Sequence, residues 1–195
     1  AVSLDGPKGE GKTATARRRA QTVYALDDPA VIDVVMAGPR RLAVGPEPVL
    51  IDEWQRYPAS WDIVRRAIDD DVRPGRFILT GSATPGERPT HSGAGRIVRV
   101  RMRPLTLAER GLEVPTVSMA ALLRGDRAPL QGHTGVGITD YVDEILTGGF
   151  PGMRTTSPRL QRRALDGYLD RIADADLPEL GVRVRNPGTL RRWMA

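Results

Sequence analysis

Residues 6–13 read Gly6-Pro7-Lys8-Gly9-Glu10-Gly11-Lys12-Thr13, and they stand between two segments of opposite character. Before them, residues 1–4 form a short apolar run that stops abruptly at Asp5-Gly6. After them, an alanine- and arginine-rich stretch to Thr22 holds good helix formers and no breaker. A buried strand is therefore expected to run into a glycine loop and out into a helix. Glycine tolerates backbone conformations that other residues resist, so the amides of such a loop can turn toward one point, where the helix also aims its positive end. Gly6, Gly11, Lys12 and Thr13 fill every fixed position of the pattern G-x-x-x-x-G-K-[ST]. A strand–loop–helix unit of this kind belongs to a sheet of parallel strands covered by helices. The chemistry it implies is the grip of a nucleoside triphosphate, ATP, together with Mg2+. Residues 6–13 form the cradle, Lys12 reaches the β- and γ-phosphates, and the Thr13 hydroxyl goes to the metal.

Composition sharpens one of these assignments. Of the 29 basic residues, all but Lys8 and Lys12 are arginine, and both lysines lie in this loop. A compact ammonium sits among phosphate oxygens where a planar guanidinium does not fit the same space. Lys12 has an evident use for that property; Lys8 shares the rarity without an evident role.

A second element follows at residues 48–53, Pro-Val-Leu-Ile-Asp-Glu. An apolar strand that ends in Asp52 sets its carboxylate at the edge of the sheet beside the glycine loop, suited to hold Mg2+ through water. Glu53 is one residue on, where it can polarise a water for in-line attack on the γ-phosphate. Room for a whole strand and helix separates the two motifs, so their strands are not expected to be sheet neighbours. A third element, Arg76-Phe77-Ile78-Leu79-Thr80-Gly81-Ser82, reads as a strand inserted between them. Ser82 and Thr80 are its candidates for a hydrogen bond to the attacking water or to the γ-phosphate, against the plainer reading of a strand-ending turn.

Further strands are expected at residues 23–26 and 96–102, and helices near 31–37 and after Ser60, which is the expected cap of a helix with Trp61, Val64, Ala67 and Ile68 on one face. Continuous apolar strands alternating with helices imply a parallel sheet covered on both faces. Residues 1–111 make up this nucleotide-binding core. Residues 112–137 read as an irregular linker with one short helix at 119–124. Residues 138–195 are helical, with patterns at 140–146 and 159–180, Leu160, Leu165, Tyr168, Leu169 and Ile172 on a shared face, and a last helix from 189 that stops without a cap.

The same composition removes several classes of function. Cysteine is absent, which excludes disulfides, thiolate catalysis and zinc–thiolate clusters. The two histidines, His91 and His133, lack ligand spacing and read as surface loop residues. No apolar run approaches a membrane span, and a cytoplasmic address follows by default. The net charge of +5 raises nucleic acid as a partner, but the arginines are scattered and aromatics make up 5% of the chain, which favours a solvated surface.

Taken in order, GPKGEGKT, LDDP, LIDEWQRYP, RFILTGSATP, AGRI with RPLTLAERG, and GGFP at residues 148–151 resemble a group of bacterial and archaeal AAA+ ATPases. The resemblance spans about residues 2–180 and is more specific than any one motif. It implies an α/β fold, a parallel-sheet P-loop NTPase (AAA+-like) core with a small C-terminal helical lid over the base and ribose. It also implies that relatives begin earlier and continue into a nuclease-like C-terminal domain, so that this chain is expected to be a fragment covering the ATPase core. Gly9-Glu10 departs from the polar–hydrophobic pair common in that group and puts an acid near phosphate. The resemblance further implies a role for Arg96, an arginine just before the fifth strand that reaches into a neighbouring subunit's ATP site in a homo-oligomer; the plain alternative is a salt-bridged surface arginine. GGFP reads as a loop-shaping turn rather than a ligand contact. The expected function is Mg-dependent ATP hydrolysis. The alternative is a nucleotide-gated module that acts on a partner or nucleic acid with little turnover.

Overall fold

A computed structural model of the chain describes residues 1–81, 93–127, 129, 131–179 and 181–194. Its apolar runs become β1 (Val2–Asp5), β2 (Thr22–Ala25), β3 (Val49–Asp52), β4 (Phe77–Gly81) and β5 (Val98–Arg101). They form one sheet in the order β2-β3-β4-β1-β5, and each neighbouring pair is parallel. The α/β expectation holds, and β4 does lie between β1 and β3. Register sets Asp5 beside Gly81 and Asp52 beside Thr80. The chain therefore leaves β1, β3 and β4 at one common edge, which is what brings distant motifs together.

Burial follows the apolar pattern. β3 is buried at all four positions, as a central parallel strand covered on both faces must be. Helices α1 (Lys12–Arg17), α2 (Pro29–Ala37) and α3 (Ala59–Asp70) supply the cover. Asp28 caps α2 by accepting from the Ala30 amide, with Pro29 in the first turn, where its missing N–H leaves no bond unmade. The spacing in α3 buries Trp61, Val64 and Ile68. Trp61 stacks on Trp54 at 4.8 Å between ring centres.

Three local expectations change. α1 stops at Arg17 although its sequence favours helix up to Thr22. The Gln21 amide donates to Pro48 O at 2.8 Å and Thr22 pairs beside Val49, so sheet pairing overrides propensity. Ser60 is not the cap of α3: it lies inside the first turn, buried, and its hydroxyl donates to Trp54 O at 3.3 Å. Leu160 is 56% exposed and stands apart from the half-buried Leu165, Tyr168, Leu169 and Ile172.

After the edge strand β5 come α4 (Met119–Leu123), α5 (Ile138–Thr147), α6 (Pro151–Arg154) and α7 (Pro158–Arg171). A π-helical turn at Ile172–Asp176 follows, then α8 (Leu177–Glu179) and α9 (Pro187–Met194). Glu144 of α5 holds α6 and the segment after β5 together. It pairs with Arg154 at 2.7 Å and with Arg110 at 2.8 Å. Among the described residues, no helix is long and apolar enough to cross a membrane.

Candidate nucleotide site

The loop between β1 and α1 is shaped by its glycines. Gly11, at the helix start, is left-handed with φ of 89°, a conformation that favours glycine. Gly6 has φ of 154°, and a Cβ there would run into the Glu10 carboxyl and lie 2.8 Å from Met102 O. The backbone is thus committed to a tight turn that other residues would disturb.

Lys12 is 6% exposed. Its ammonium folds back over the loop and donates to Gly6 O at 2.8 Å and Pro7 O at 2.5 Å. Burial pushes its pKa down, while the carboxylates of Glu10, Glu53, Asp52 and Asp5 oppose that shift. The next residue reaches across the sheet edge: Thr13 Oγ1 donates to Asp52 Oδ1 at 2.8 Å. The buried Thr80 hydroxyl, from the strand between, donates to the same oxygen. The start of α1 and the ends of β3 and β4 therefore converge on one carboxylate.

Glu53 follows in the left-handed region, φ 54° and ψ 46°, the one residue other than glycine with positive φ among those described. The Gln55 side-chain amide donates to its Oε2. Glu10, the unexpected acid of the loop, is 3% exposed against Gly6, and neither of its oxygens has a hydrogen-bond partner. Burial raises its pKa, and the charges of Lys12 and Arg101 oppose the rise.

A hydroxyl and a carboxylate side by side are the hard oxygen donors that Mg2+ prefers. Among the described residues, no group of three or more His, Cys, Asp or Glu could hold a metal. A cation between Thr13 and Asp52 would complete its shell with phosphate and water, as Mg2+ does with a nucleotide. The residues fit the ion.

Lys8 pairs with Asp176 at 2.7 Å, and its carbonyl accepts from Tyr168 Oη at 3.2 Å. Gly9 faces Phe150 and Gly11 faces Pro151, at 3.7 and 3.8 Å from where their Cβ atoms would stand. The GGFP turn thus packs on the glycine loop as well as shaping the chain, a contact that its turn residues do not announce. Phe150 also stacks on Tyr168, 5.1 Å between ring centres. Arg96 sits beside Ala1 where β1 begins, at the sheet edge opposite Lys12, and its side chain pairs with Asp69. Ser82 lies outside the described residues, as does His91; His133 is exposed. Gln55, Tyr168 and Asp176 were missed by sequence reasoning. Only Gln55, two residues after Glu53, carried a signal within reach of a motif.

Two curated relatives align over nearly the whole chain, an uncharacterized protein of Mycobacterium bovis (Mb2031c) and one of Mycobacterium tuberculosis (Rv2008c). Each is 29% identical over 199 residues, covering 98% of this chain and 39% of the relative. The chain therefore spans about two fifths of the length of these relatives. The family model described as AAA domain matches residues 1–110, which take in the glycine loop, the Asp52-Glu53 pair and all five strands. On that match the chain belongs to the AAA domain family, a family of nucleotide-binding proteins of the ATPase type.

Proposed function

We propose that this chain binds ATP with Mg2+ and hydrolyses it to ADP and phosphate. The observation that supports the reading best is the 2.8 Å bond from Thr13 to Asp52, which joins the glycine loop to the acidic end of β3 across the intervening β4. Backbone amides of residues 8–13 and the positive end of α1 receive the phosphates. Lys12 exchanges its loop carbonyls for β- and γ-phosphate oxygens. The Thr13 hydroxyl and Asp52 would hold Mg2+, which would neutralise charge on the transferring phosphoryl group. Glu53 accepts a proton from the attacking water as the water oxygen bonds to the γ-phosphorus and the bond from that phosphorus to the β–γ bridging oxygen breaks, releasing ADP. Thr80 orients Asp52, and Ser82 is the remaining candidate for contact with the γ-phosphate.

Further assignments rest on the same reading. Residues 138–195 act as a lid on the core of residues 1–111, with 112–137 as linker. Arg96, remote from its own loop, serves a neighbouring copy as an arginine finger in a homo-oligomer. The protein works in the cytoplasm, and the extra length of the relatives holds a nuclease-like domain.

Titration of the purified chain with ATP and Mg2+, beside Lys12→Ala and Glu53→Gln, tests the reading. Lys12→Ala is expected to lose binding. Glu53→Gln is expected to bind ATP normally and to lose turnover by about a hundredfold or more. Normal hydrolysis by Glu53→Gln would remove the assigned base. Mixing Arg96→Ala with Lys12→Ala subunits is expected to restore some turnover if sites are shared between copies.

A further inference from the structure

Glu53 leaves β3 in a left-handed conformation that its Cβ disfavours, and such a conformation persists only where surrounding contacts hold it. Three contacts do so. The Glu53 carbonyl accepts from the Arg56 amide at 2.9 Å, which closes the short 3-10 turn Trp54–Arg56. Trp54, 2% exposed, anchors that turn in the core against Trp61. The Gln55 side chain then turns back and donates its amide N–H to Glu53 Oε2.

The other end of the Gln55 amide is as informative. Its Oε1 is buried and has no hydrogen-bond partner. It sits against Gly81 at the end of β4, where a Cβ would come within 2.7 Å of it and within 3.0 Å of Trp54 Nε1. Reversing the amide would set its oxygen against the Glu53 carboxylate, two acceptors facing each other with no proton between them. The orientation is therefore set by Glu53, at the expense of an orphan oxygen at Gly81. An amide that contributed to folding alone could give way to an apolar side chain of the same volume at little cost.

We infer that Gln55 is a positioning residue for the hydrolytic step: it fixes the carboxylate of Glu53, and Gly81 provides the space that lets it do so. The inference rests on Glu53 acting on the water. Gln55 touches neither nucleotide nor metal in this role; it restricts one carboxylate to one place.

Steady-state ATP hydrolysis and equilibrium ATP binding should be measured together for Gln55→Leu, Gln55→Asn, Gly81→Ala and Glu53→Gln. Gln55→Leu keeps the volume and loses the donor, and kcat is expected to fall about ten- to a hundredfold while KM and ATP affinity stay within about twofold of wild type. Gln55→Asn keeps the donor on a shorter stem and should recover part of the loss. Gly81, whose φ suits any residue, has room for none: Gly81→Ala should reproduce the fall in kcat by displacing an unaltered Gln55. In a Glu53→Gln background, Gln55→Leu should add no further loss, since both act on one carboxylate. An unchanged or raised kcat for Gln55→Leu, with Glu53→Gln inactive, overturns this inference and leaves the proposed function standing. Losses that appear in ATP affinity, or that add fully in the double variant, overturn it as well. Full turnover by Glu53→Gln removes Glu53 as the assigned base, and this inference with it, while ATP hydrolysis itself stands.

Discussion

Lys8 in the glycine loop and Asp176 at the end of the π-helical turn form an ion pair of 2.7 Å between residues 168 positions apart. Arg171 approaches the same Asp176 oxygen at 3.5 Å. With the Tyr168 bond to Lys8 O and the packing of Phe150 on Gly9, the helical part of the chain is fastened to the loop by charge, hydrogen bond and ring contact together. A π turn adds a residue to the helical repeat, and this one sets Asp176 at the loop.

Breaking that ion pair should loosen one end of the molecule more than it destabilises the whole. Both side chains are about a quarter exposed, so water screens the pair and it is worth about 0.5–1 kcal/mol. Asp176→Asn is expected to lower Tm by about 1–4 °C, an effect that shrinks in about 1 M salt. Amide exchange should accelerate from Tyr168 to Asp176 and remain slow in β3. Unaltered exchange in that segment would mean the ring contacts suffice.

Thr13→Val removes one hydroxyl without changing the size of the side chain. Asp52 keeps Thr80 as a donor, so the expected loss of stability is about 1 kcal/mol. ATP affinity measured without Mg2+ should hardly change. The gain in affinity that Mg2+ brings to the wild type should fall by about tenfold or more, because the metal loses a protein ligand. Calorimetric titration in both conditions measures the difference, and an equal gain in both proteins would exclude Thr13 as a ligand.

Glu10 should make the protein less stable as the pH rises. Its pKa is raised by burial, so the folded chain holds the proton more firmly than the unfolded chain, whose value is near 4.5. Between those two values the folded state binds more protons, and stability falls with rising pH. Glu10→Gln keeps the shape and abolishes the titration. Its Tm is expected to exceed that of wild type at pH 8 and to converge with it below about pH 4. A wild type that melts as high as the variant at pH 8 would contradict a buried, unpaired carboxyl.

Glu144 should act in the opposite sense. Hydrogen bonds from Arg154 first, and then from Arg110, hold its pKa at about 2 against an ordinary 4.5. The stability it contributes is present above 4.5 and is lost as the pH falls toward 2. Glu144→Gln should therefore melt below wild type at pH 7, with the gap closing on acidification. A gap that persists at pH 2 would assign the effect to packing. The two acids together shape an acid limb that neither would give alone.

Much of the core was legible because local chemistry and fold agree there. The glycines of residues 6–13 and the apolar run into Asp52 are patterns only a few residues long. The errors fall where a partner distant in sequence decides. α1 ends early because Gln21 must meet Pro48. Ser60 turns inward, where its hydroxyl shares Trp54 O with the Tyr57 amide. For Arg96, which the sequence left between a finger and a salt-bridged surface arginine, the structure shows an ion pair with Asp69 near the end of α3.

The sequence by itself determined that there would be a phosphate-type loop, a buried strand ending in two acids, and a parallel sheet to carry them, because each depends on residue type and short-range periodicity. Tertiary structure alone decided that Thr13 and Thr80 share one Asp52 oxygen, that Gln55 grips Glu53, and that Lys8 is tied to Asp176. Those pairings depend on strand order and helix direction, which bring together atoms from separate segments, and no spacing along the chain encodes a distance across a sheet.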